Sequence, residues 1–220
     1  MTDPFNDCAV VVFTRAPILG QVKTRLAQTI GEEAALGVHV RLVGSALNSV
    51  TETGLNNRYL YVSVDHPEVR DWAQRFDLDV RLQRGDGLGE RMRTVFRDLF
   101  ESEFASGGGI ERAVLMGTDC PDITAKYLHT ALGKLAHEEV VVGPAEDGGY
   151  GLIGMRLDAF TQAQGVFQDI PWGSNQVMQR TREVLRDQGL KWAELSTIWD
   201  VDTHKDWERL QALGDARQDK

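Results

Sequence analysis

Three cationic side chains occur close together near the start of the chain, in the segment RAPILGQVKTRLA. Arg15, Lys23 and Arg25 follow the apolar run Cys8–Thr14, which is typical of a strand buried on both faces. A loop between a strand and a helix offers backbone N–H groups to an anion. The segment is not a Walker A loop, because Val22 precedes Lys23 where that motif has Gly. We predict that the cations contact the phosphates of a nucleotide; the alternative is that they are solvated surface cations.

Carboxylates stand in two further segments that could bind a metal. In MGTDCPDI, Asp119 comes directly after a buried strand, where a carboxylate can hold a hard divalent cation that bridges phosphate oxygens. We assign Asp122 to the turn or to the cap of the next helix. In WDVDTHKDW, Asp200 and Asp202 precede the last predicted helix. Asp202 is either a second metal ligand or, with Thr203, a candidate for the N-cap of that helix.

Two other segments have the composition of a ligand-binding loop. AEDGGYGLIG places Glu146 and Asp147 side by side at the tip of a predicted hairpin, where Asp-Gly alone would satisfy the turn. This acidic pair could bind a sugar hydroxyl or supply a general base. RGDGLGERM is rich in Gly before a helix, which lets the backbone approach a base or ribose, and Arg91 could reach a phosphate. The alternative for this segment is an ordinary Gly-rich turn.

The composition argues against several classes of protein. The formal net charge is −9 and the pI is about 5.1, so a protein that coats nucleic acid or an anionic membrane is not expected. Cys8 and Cys120 form no Cys-x-x-Cys pair, which argues against a thiolate zinc site and favours two reduced thiols. No apolar run approaches the ~20 residues of a membrane span, and MTDPFND lacks a signal-peptide pattern. We therefore expect a cytoplasmic protein.

Strand-like and helix-like segments alternate along the chain. Strands are predicted at Cys8–Thr14, Arg58–Val64, Asp79–Gln83 and Arg112–Gly117, and helices at Pro67–Phe76 and Thr124–Ala136. VVVGPA and YGLIGM, separated by EDGG, indicate a hairpin rather than another crossover. The pattern predicts an α/β fold over residues 1–220 as one domain: a three-layer α/β/α sandwich with a mixed, mostly parallel sheet. Ligands of such sheets bind at the carboxyl ends of the strands, which indicates the loops at 15–25, 84–89, 118–122 and 146–149.

The order of the motifs resembles that of a known bacterial family. The matching segments are TRAPILGQVKTRLA, GDGLGERM, MGTDCPDI, AEDGGYGLIGM, IPWGSNQVM and WDVDTHKDW. They are similar to compact GT-A-type glycosyltransferases, or nucleotide-diphospho-sugar transferases, some of them linked to arsenosugar biosynthesis, and the resemblance covers nearly the whole chain. More distantly, the chain resembles 2-phospho-L-lactate guanylyltransferase and the molybdenum-cofactor nucleotidyltransferases. The resemblance implies a GT-A fold and a cofactor that is Mg²⁺ or Mn²⁺.

The resemblance also implies a role for each matching residue. The phosphate-binding residues would be Arg15, Lys23 and Arg25, and the metal ligands Asp119 and Asp202. The contacts to base and ribose would be Leu88, Gly89 and Arg91. The acceptor would lie against the turn Glu146–Gly149, where Gly148 and Gly149 would contact it, and against Trp172 and Ser174. The family's Pro-Glu-Asp after its D-x-D-T element is here His204, Lys205 and Asp206, a change at a helix start that we expect to leave the chemistry intact.

Two reactions fit these residues. In the first, a nucleoside diphosphate sugar donates its glycosyl group: Lys23 and the two arginines neutralise the leaving diphosphate, and Asp147 or Glu146 orients or deprotonates the acceptor hydroxyl. In the second, an acceptor phosphate attacks a nucleoside triphosphate and pyrophosphate leaves. Three cations suit the second reaction, whereas the resemblance favours the first. A non-catalytic nucleotide-sugar-binding protein is a third class.

The length of the chain bears on its partners. At 220 residues it is short for a glycosyltransferase with its own large acceptor domain. A small-molecule acceptor, a partner subunit and a homodimer each fit such a chain, and the sequence leaves all three open.

Overall fold

A computed structural model describes residues 5–102 and 109–218 of the chain. The strands are β1 (Cys8–Thr14), β2 (Asn57–Val62), β3 (Asp79–Leu82), β4 (Arg112–Gly117), β5 (Val140–Pro144), β6 (Tyr150–Arg156) and β7 (Trp192–Glu194). The helices are α1 (Thr24–Ile30), α2 (Glu32–Thr51), α3 (Pro67–Phe76), α4 (Leu88–Ser102), α5 (Ala125–Lys134), α6 (Leu157–Phe160), α7 (Val177–Asp187) and α8 (His204–Gln218), with a 3₁₀ helix at Gln162–Phe167.

The strands form one mixed sheet in the order β3-β2-β1-β4-β6-β5-β7. Strand β6 runs antiparallel to β4 and β5, and the other neighbouring strands pair in parallel. The predicted hairpin and the mostly parallel sheet are therefore confirmed. Because β6 is reversed, its first residue, Tyr150, lies at the edge of the sheet where β1 and β4 end. That edge receives the loops after β1, β3 and β4 as well as the turn before β6.

Two apolar clusters, one on each face of the sheet, confirm the predicted three-layer sandwich. Side chains of β1 alternate between them: Val10 and Val12 pack with α2, α3 and α5, whereas Ala9 and Val11 face α4, the 3₁₀ helix and α7. A smaller cluster joins α1, α2 and α8 to residues 199–201. It fixes α8 beside the loop that follows β1.

The first turn of α8 is closed by Asp206. Its Oδ2 accepts hydrogen bonds from the Thr203 backbone N–H at 2.7 Å and from the Thr203 hydroxyl at 2.6 Å. This is the reciprocal half of a capping box. The carboxylate of Asp202 is therefore not needed to cap the helix, and it lies free to contact the loop after β1.

The close packing of β6 between β4 and β5 can be tested at Gly154. A Cβ atom there would come within 2.6 Å of Val114 Cγ1 and 2.9 Å of Val141 Cγ1. We expect Gly154→Ala to lower the free energy of unfolding by ~1–3 kcal/mol in urea denaturation, because neighbouring strands must shift. Gly37→Ala is the control: the site is exposed in α2 and the added Cβ meets no atom within 4 Å, so a gain of ~0.5–1 kcal/mol is expected. Unchanged stability of Gly154→Ala would contradict this packing.

Candidate functional site

A large cleft opens at the edge of the sheet where β1, β3 and β4 end and β6 begins. Its volume is about 1000 Å³, at the upper end of the range for small-molecule sites. All four loops singled out in the sequence contribute to its wall. The predicted site residues that line it are Arg15, Lys23, Arg25, Leu88, Arg91, Asp119, Asp147, Gly149, Trp172, Ser174 and Asp202. Gly89, Glu146 and Gly148 are not among the lining residues.

Lys23 is buried, whereas Arg15 in the same loop and Arg25 in the first turn of α1 are exposed. The Lys23 side chain is 3% exposed, and its Nζ lies 2.6 Å from Asp119 Oδ1. The same Nζ donates a hydrogen bond of 2.6 Å to the Val201 carbonyl oxygen. Lys23 precedes α1 with a φ of 48°, a left-handed conformation that costs a non-glycine residue roughly 1–2 kcal/mol. The two contacts of the buried ammonium group offset that cost.

The segment 198–202 connects the walls of the cleft. The Val201 N–H donates to the Asp119 carbonyl oxygen at 2.9 Å. The Glu146 N–H donates to the Ile198 carbonyl oxygen at 2.9 Å, and the Ile198 N–H donates to the Pro144 carbonyl oxygen at 2.8 Å. One stretch of backbone therefore holds both the loop after β4 and the tip of the β5–β6 hairpin.

A second ion pair joins Arg25 to Asp202. Arg25 Nη1 lies 2.7 Å from Asp202 Oδ2, and the two side chains are 70% and 34% exposed. Arg15 is held differently, since its Nη1 donates to the Gln21 carbonyl oxygen at 3.2 Å. Both carboxylates predicted to hold a metal are thus paired with cations predicted to hold phosphate.

The acidic side chains around segment 198–202 have the donor chemistry of a hard-cation site. Burial, followed by the carboxylate of Asp147, raises the pKa of Asp200 to about 6, with smaller contributions from Asp202 and Asp119. Oxygen donors of this kind suit Mg²⁺ or Mn²⁺. Among residues 5–102 and 109–218, however, no three His, Cys, Asp or Glu side chains are arranged as a metal site. The residues fit a divalent cation in chemistry, provided that Asp119 and Asp202 exchange their cationic partners for it.

The first turn of α4 lines the cleft through Leu88 and Arg91. Leu88 is 45% exposed, and Arg91 Nε donates to the Gly85 carbonyl oxygen at 3.0 Å. Gly89 faces the other way: a Cβ there would overlap the Phe167 carbonyl oxygen and come within 2.8 Å of Trp172 Nε1. The structure therefore places Gly89 where α4 packs closely against the segment 167–172, behind the wall of the cleft.

The turn between β5 and β6 directs Asp147 toward the cleft. Asp147 Oδ1 accepts a hydrogen bond from the Gly149 N–H at 2.8 Å, which fixes the carboxylate on its own turn. Gly148 has a φ of 88°, and a Cβ there would overlap the Asn175 carbonyl oxygen. Its own carbonyl oxygen accepts from the Met178 N–H at 2.8 Å. Gly148 thus lets the start of α7 approach the turn, which brings Trp172 and Ser174 to the cleft.

Glu146 is turned away from its neighbour Asp147. It forms a two-pronged ion pair with Arg209 of α8, with distances of 2.8 Å and 3.1 Å. The hydrogen bond from Arg209 lowers the pKa of Glu146. Arg209 also lies 4.2 Å above the ring centre of Trp199. The structure therefore brings Asp147 together with Asp119 and Lys23 around the cleft, whereas Glu146 is paired with Arg209 of α8.

Two of the cleft residues that were not selected from the sequence support the loop after β1. His39 of α2 is buried, and its Nε2 lies 3.1 Å from the Arg15 carbonyl oxygen. Gln83, just after β3, donates from Nε2 to the carbonyl oxygens of Thr14 and Tyr61 at 2.9 Å and 3.1 Å. Both brace the loop after β1. The position of Gln83 at the carboxyl end of a predicted strand was the available signal, whereas nothing local marks His39.

The fold and the cleft define an α/β protein of the class that includes nucleotide-diphospho-sugar transferases and nucleotidyltransferases. The chain belongs to the DUF2064 family, described as uncharacterized proteins conserved in bacteria, whose profile matches residues 46–174. It is 31% identical to a Desulfovibrio desulfuricans G20 protein provisionally named a nucleotide-diphospho-sugar transferase. That match covers 90% of this chain and 83% of the other, with a TM-score of 0.77. The resemblance stated from the motifs is confirmed.

Two more distant structures share the fold. CMP:2-keto-3-deoxy-manno-octonic acid synthetase, solved with CTP, is 14% identical with a TM-score of 0.59, and the match covers 96% of this chain and 99% of that one. Rv0371c of Mycobacterium tuberculosis H37Rv, solved with manganese, is 17% identical with a TM-score of 0.57, over 92% and 97% of the two chains. At these identities the similarity establishes the fold alone. No curated protein matches the chain, and no helix in the described ranges is long and apolar enough to cross a membrane.

The buried Lys23–Asp119 pair is expected to contribute more to stability than the exposed Arg25–Asp202 pair. Lys23→Met leaves the Val201 carbonyl oxygen and the Asp119 carboxylate without their shared donor, so we expect a loss of ~1–3 kcal/mol in the free energy of unfolding. Arg25→Met removes the partner of Asp202 in a solvated pair and should cost under ~1 kcal/mol. Chemical denaturation of both variants at low salt measures the difference. Equal losses would contradict the structural role of Lys23.

Proposed function

We propose that this chain is a transferase that acts on a nucleotide, and that its reaction is glycosyl transfer from a nucleoside diphosphate sugar to a small acceptor. One observation carries the proposal: the cleft holds two cation–carboxylate pairs, Lys23–Asp119 and Arg25–Asp202, at the edge where β1 and β4 end. A diphosphate requires cations, and a bridging divalent ion requires carboxylates. The 31% identical relative, provisionally named a nucleotide-diphospho-sugar transferase, supports this choice of donor.

The two pairs suggest how a diphosphate is bound. Phosphate oxygens compete with the carboxylates for Arg25, which is largely exposed and can rotate toward a ligand. Lys23 stays with the Val201 carbonyl oxygen and offers its remaining N–H to phosphate. Asp119 and Asp202 would then hold Mg²⁺ or Mn²⁺. Such an ion, when bound, supplies charge neutralisation on the leaving diphosphate.

Asp147 is the residue proposed to orient or deprotonate the acceptor hydroxyl. It lines the cleft, and its Oδ1 is held by the Gly149 N–H, which leaves Oδ2 for the acceptor. General-base assistance of this kind contributes typically ~10²–10⁴-fold. Glu146, the other predicted base, is engaged by Arg209. A direct catalytic role of Glu146 would require that pair to open.

Nucleotidyl transfer is the second candidate. The loop after β1 brings Arg15, Lys23 and Arg25 to one cleft, and three cations suit a triphosphate better than a diphosphate. In that reaction an acceptor phosphate attacks the α-phosphorus and pyrophosphate leaves. A non-catalytic nucleotide-sugar-binding protein would use the same cations without turnover.

Calorimetric titration separates these candidates. Nucleoside triphosphates and their diphospho-sugars are titrated into the protein with and without Mg²⁺ or Mn²⁺. We expect one diphospho-sugar to bind more tightly than the matching triphosphate, in a metal-dependent manner, and Asp119→Asn to weaken that binding by at least about tenfold. Asn keeps the shape of Asp and can still accept from Lys23, so the variant removes mainly the charge.

Glu146→Gln is the matched control, since Glu146 is a carboxylate outside the cleft wall. It should change the same dissociation constants by less than about twofold. Preference for a triphosphate would favour nucleotidyl transfer. Equal binding by Asp119→Asn and the unchanged protein would overturn the metal assignment.

A further inference from the structure

The geometry points to an acceptor that is an uncharged hydroxyl compound with an apolar face, rather than a phosphate or another anion. This inference rests on the proposed function, because it concerns the part of the cleft that remains once the nucleotide phosphates occupy the loop after β1. It bears on the choice between the two reactions considered above, since the glycosyl transfer accepts a neutral hydroxyl and the nucleotidyl transfer considered there uses an acceptor phosphate.

The phosphate side and the acceptor side of the cleft lie over different strands. The cationic loop follows β1, whereas the turn carrying Asp147 leads into β6, and β4 lies between them in the sheet. Neighbouring strands are ~4.8 Å apart, so the two sides are separated by roughly 10 Å. A second reactant can therefore contact the β6 side while a diphosphate contacts Lys23 and Arg25.

The β6 side is the part of the cleft wall that we call the hairpin wall. It consists of Asp147, Gly149, Tyr150, Gly151, Leu152, Ile153, Trp172, Gly173, Ser174 and Val177. It contains a carboxylate and neither Lys nor Arg. Within the described chain, the Lys and Arg residues that line the cleft are Arg15, Lys23, Arg25 and Arg91. An anionic acceptor on the hairpin wall would thus meet Asp147 without a cation beside it, which is unfavourable in a partly desolvated cleft.

Arg91 does not supply the missing charge. Successive residues of an α-helix are rotated by about 100°, so Arg91 points roughly 200° away from Gly89 around α4. Gly89 is the residue that faces Trp172. The Arg91 guanidinium is instead held toward the preceding loop by its bond from Nε to the Gly85 carbonyl oxygen. Its charge therefore lies beside the loop that precedes α4 and away from the hairpin wall.

The rest of the hairpin wall is apolar and aromatic. Tyr150 and Trp172 meet edge to face, with ring centres 6.0 Å apart. Both pack on the core cluster that contains Ile153 and Val177, which also line the cleft. Such a surface binds the apolar face of a ring or chain. Asp147 Oδ2 beside it accepts a hydrogen bond from a hydroxyl, so an alcohol satisfies the wall and a phosphate does not.

Two probes that share a fluorobenzyl group, one with a free hydroxyl and one with that hydroxyl phosphorylated, test the inference. 4-Fluorobenzyl alcohol and 4-fluorobenzyl phosphate are titrated separately and followed by ¹⁹F NMR, with the unchanged protein and with Trp172→Leu, Asp147→Asn and Arg25→Met. Thermal unfolding confirms that each variant is folded. If Trp172→Leu does not fold, Asp147→Asn alone tests the hairpin wall. We expect Trp172→Leu and Asp147→Asn each to weaken alcohol binding by at least about threefold, while Arg25→Met leaves it within about twofold.

The phosphate probe should show the opposite pattern. Its binding should fall with Arg25→Met and should not weaken with Trp172→Leu or Asp147→Asn. Alcohol binding that is absent or insensitive to the hairpin-wall variants would overturn the inference. So would phosphate binding that depends on Trp172 as strongly as alcohol binding does. Failure of the proposed function alone has a different signature: neither the phosphate probe nor any nucleotide binds, while the alcohol pattern stands.

Discussion

The buried ammonium group of Lys23 is the constraint on which the site depends. A charge with only 3% of its side chain exposed must be paired and hydrogen-bonded, because its desolvation otherwise costs several kcal/mol. Asp119 and the Val201 carbonyl oxygen supply the two partners. These contacts connect the loop after β1, the loop after β4 and the segment before α8. Lys23 and Val201, which are 178 residues apart in the sequence, are thereby held in contact.

The same contact suggests how an acidic chain would bind the anion of the proposed function. With a net charge of −9, the protein as a whole repels nucleotides, and binding depends on local cations. In the cleft, two of these cations are each paired with one carboxylate, Lys23 with Asp119 and Arg25 with Asp202. Phosphate and a divalent ion are therefore expected to bind together, since each takes one half of both pairs. The hairpin wall, with its single carboxylate Asp147, is left for a neutral partner.

Much of the fold could be predicted because the chain marks its elements locally. Pro67 and Phe76 bound α3 as predicted, Thr124 caps α5 through its side chain, and EDGG marks the hairpin. The seven-residue helix α1 was not predicted. It begins at Thr24, inside the segment 15–25 that was assigned to a loop, and Gly31, with a φ of 88°, separates it from α2. Short helices of this kind form through tertiary packing, here of Leu26 on α2 and residues 199–201, rather than through local propensity.

The site was predictable as a set of loops but not as a set of contacts. The rule that ligands bind at the carboxyl ends of strands identified the four loops that line the cleft. The pairing of Lys23 with Asp119, the ion pair of Glu146 with Arg209 and the bond of His39 to the Arg15 carbonyl oxygen all join distant segments. Residue type and spacing carry no information on such contacts. These long-range contacts explain why the adjacent carboxylates Glu146 and Asp147 have different surroundings.

In the proposed site, the carboxylates exchange cationic side chains for a divalent ion when phosphate binds. The most direct test is an electron paramagnetic resonance titration of Mn²⁺, with and without inorganic tripolyphosphate, on the unchanged protein and on Arg25→Met. We expect Arg25→Met to bind Mn²⁺ alone at least about threefold more tightly, because Asp202 is freed, and to bind tripolyphosphate more weakly. Mn²⁺ affinity that is unchanged or lower in Arg25→Met would contradict this exchange.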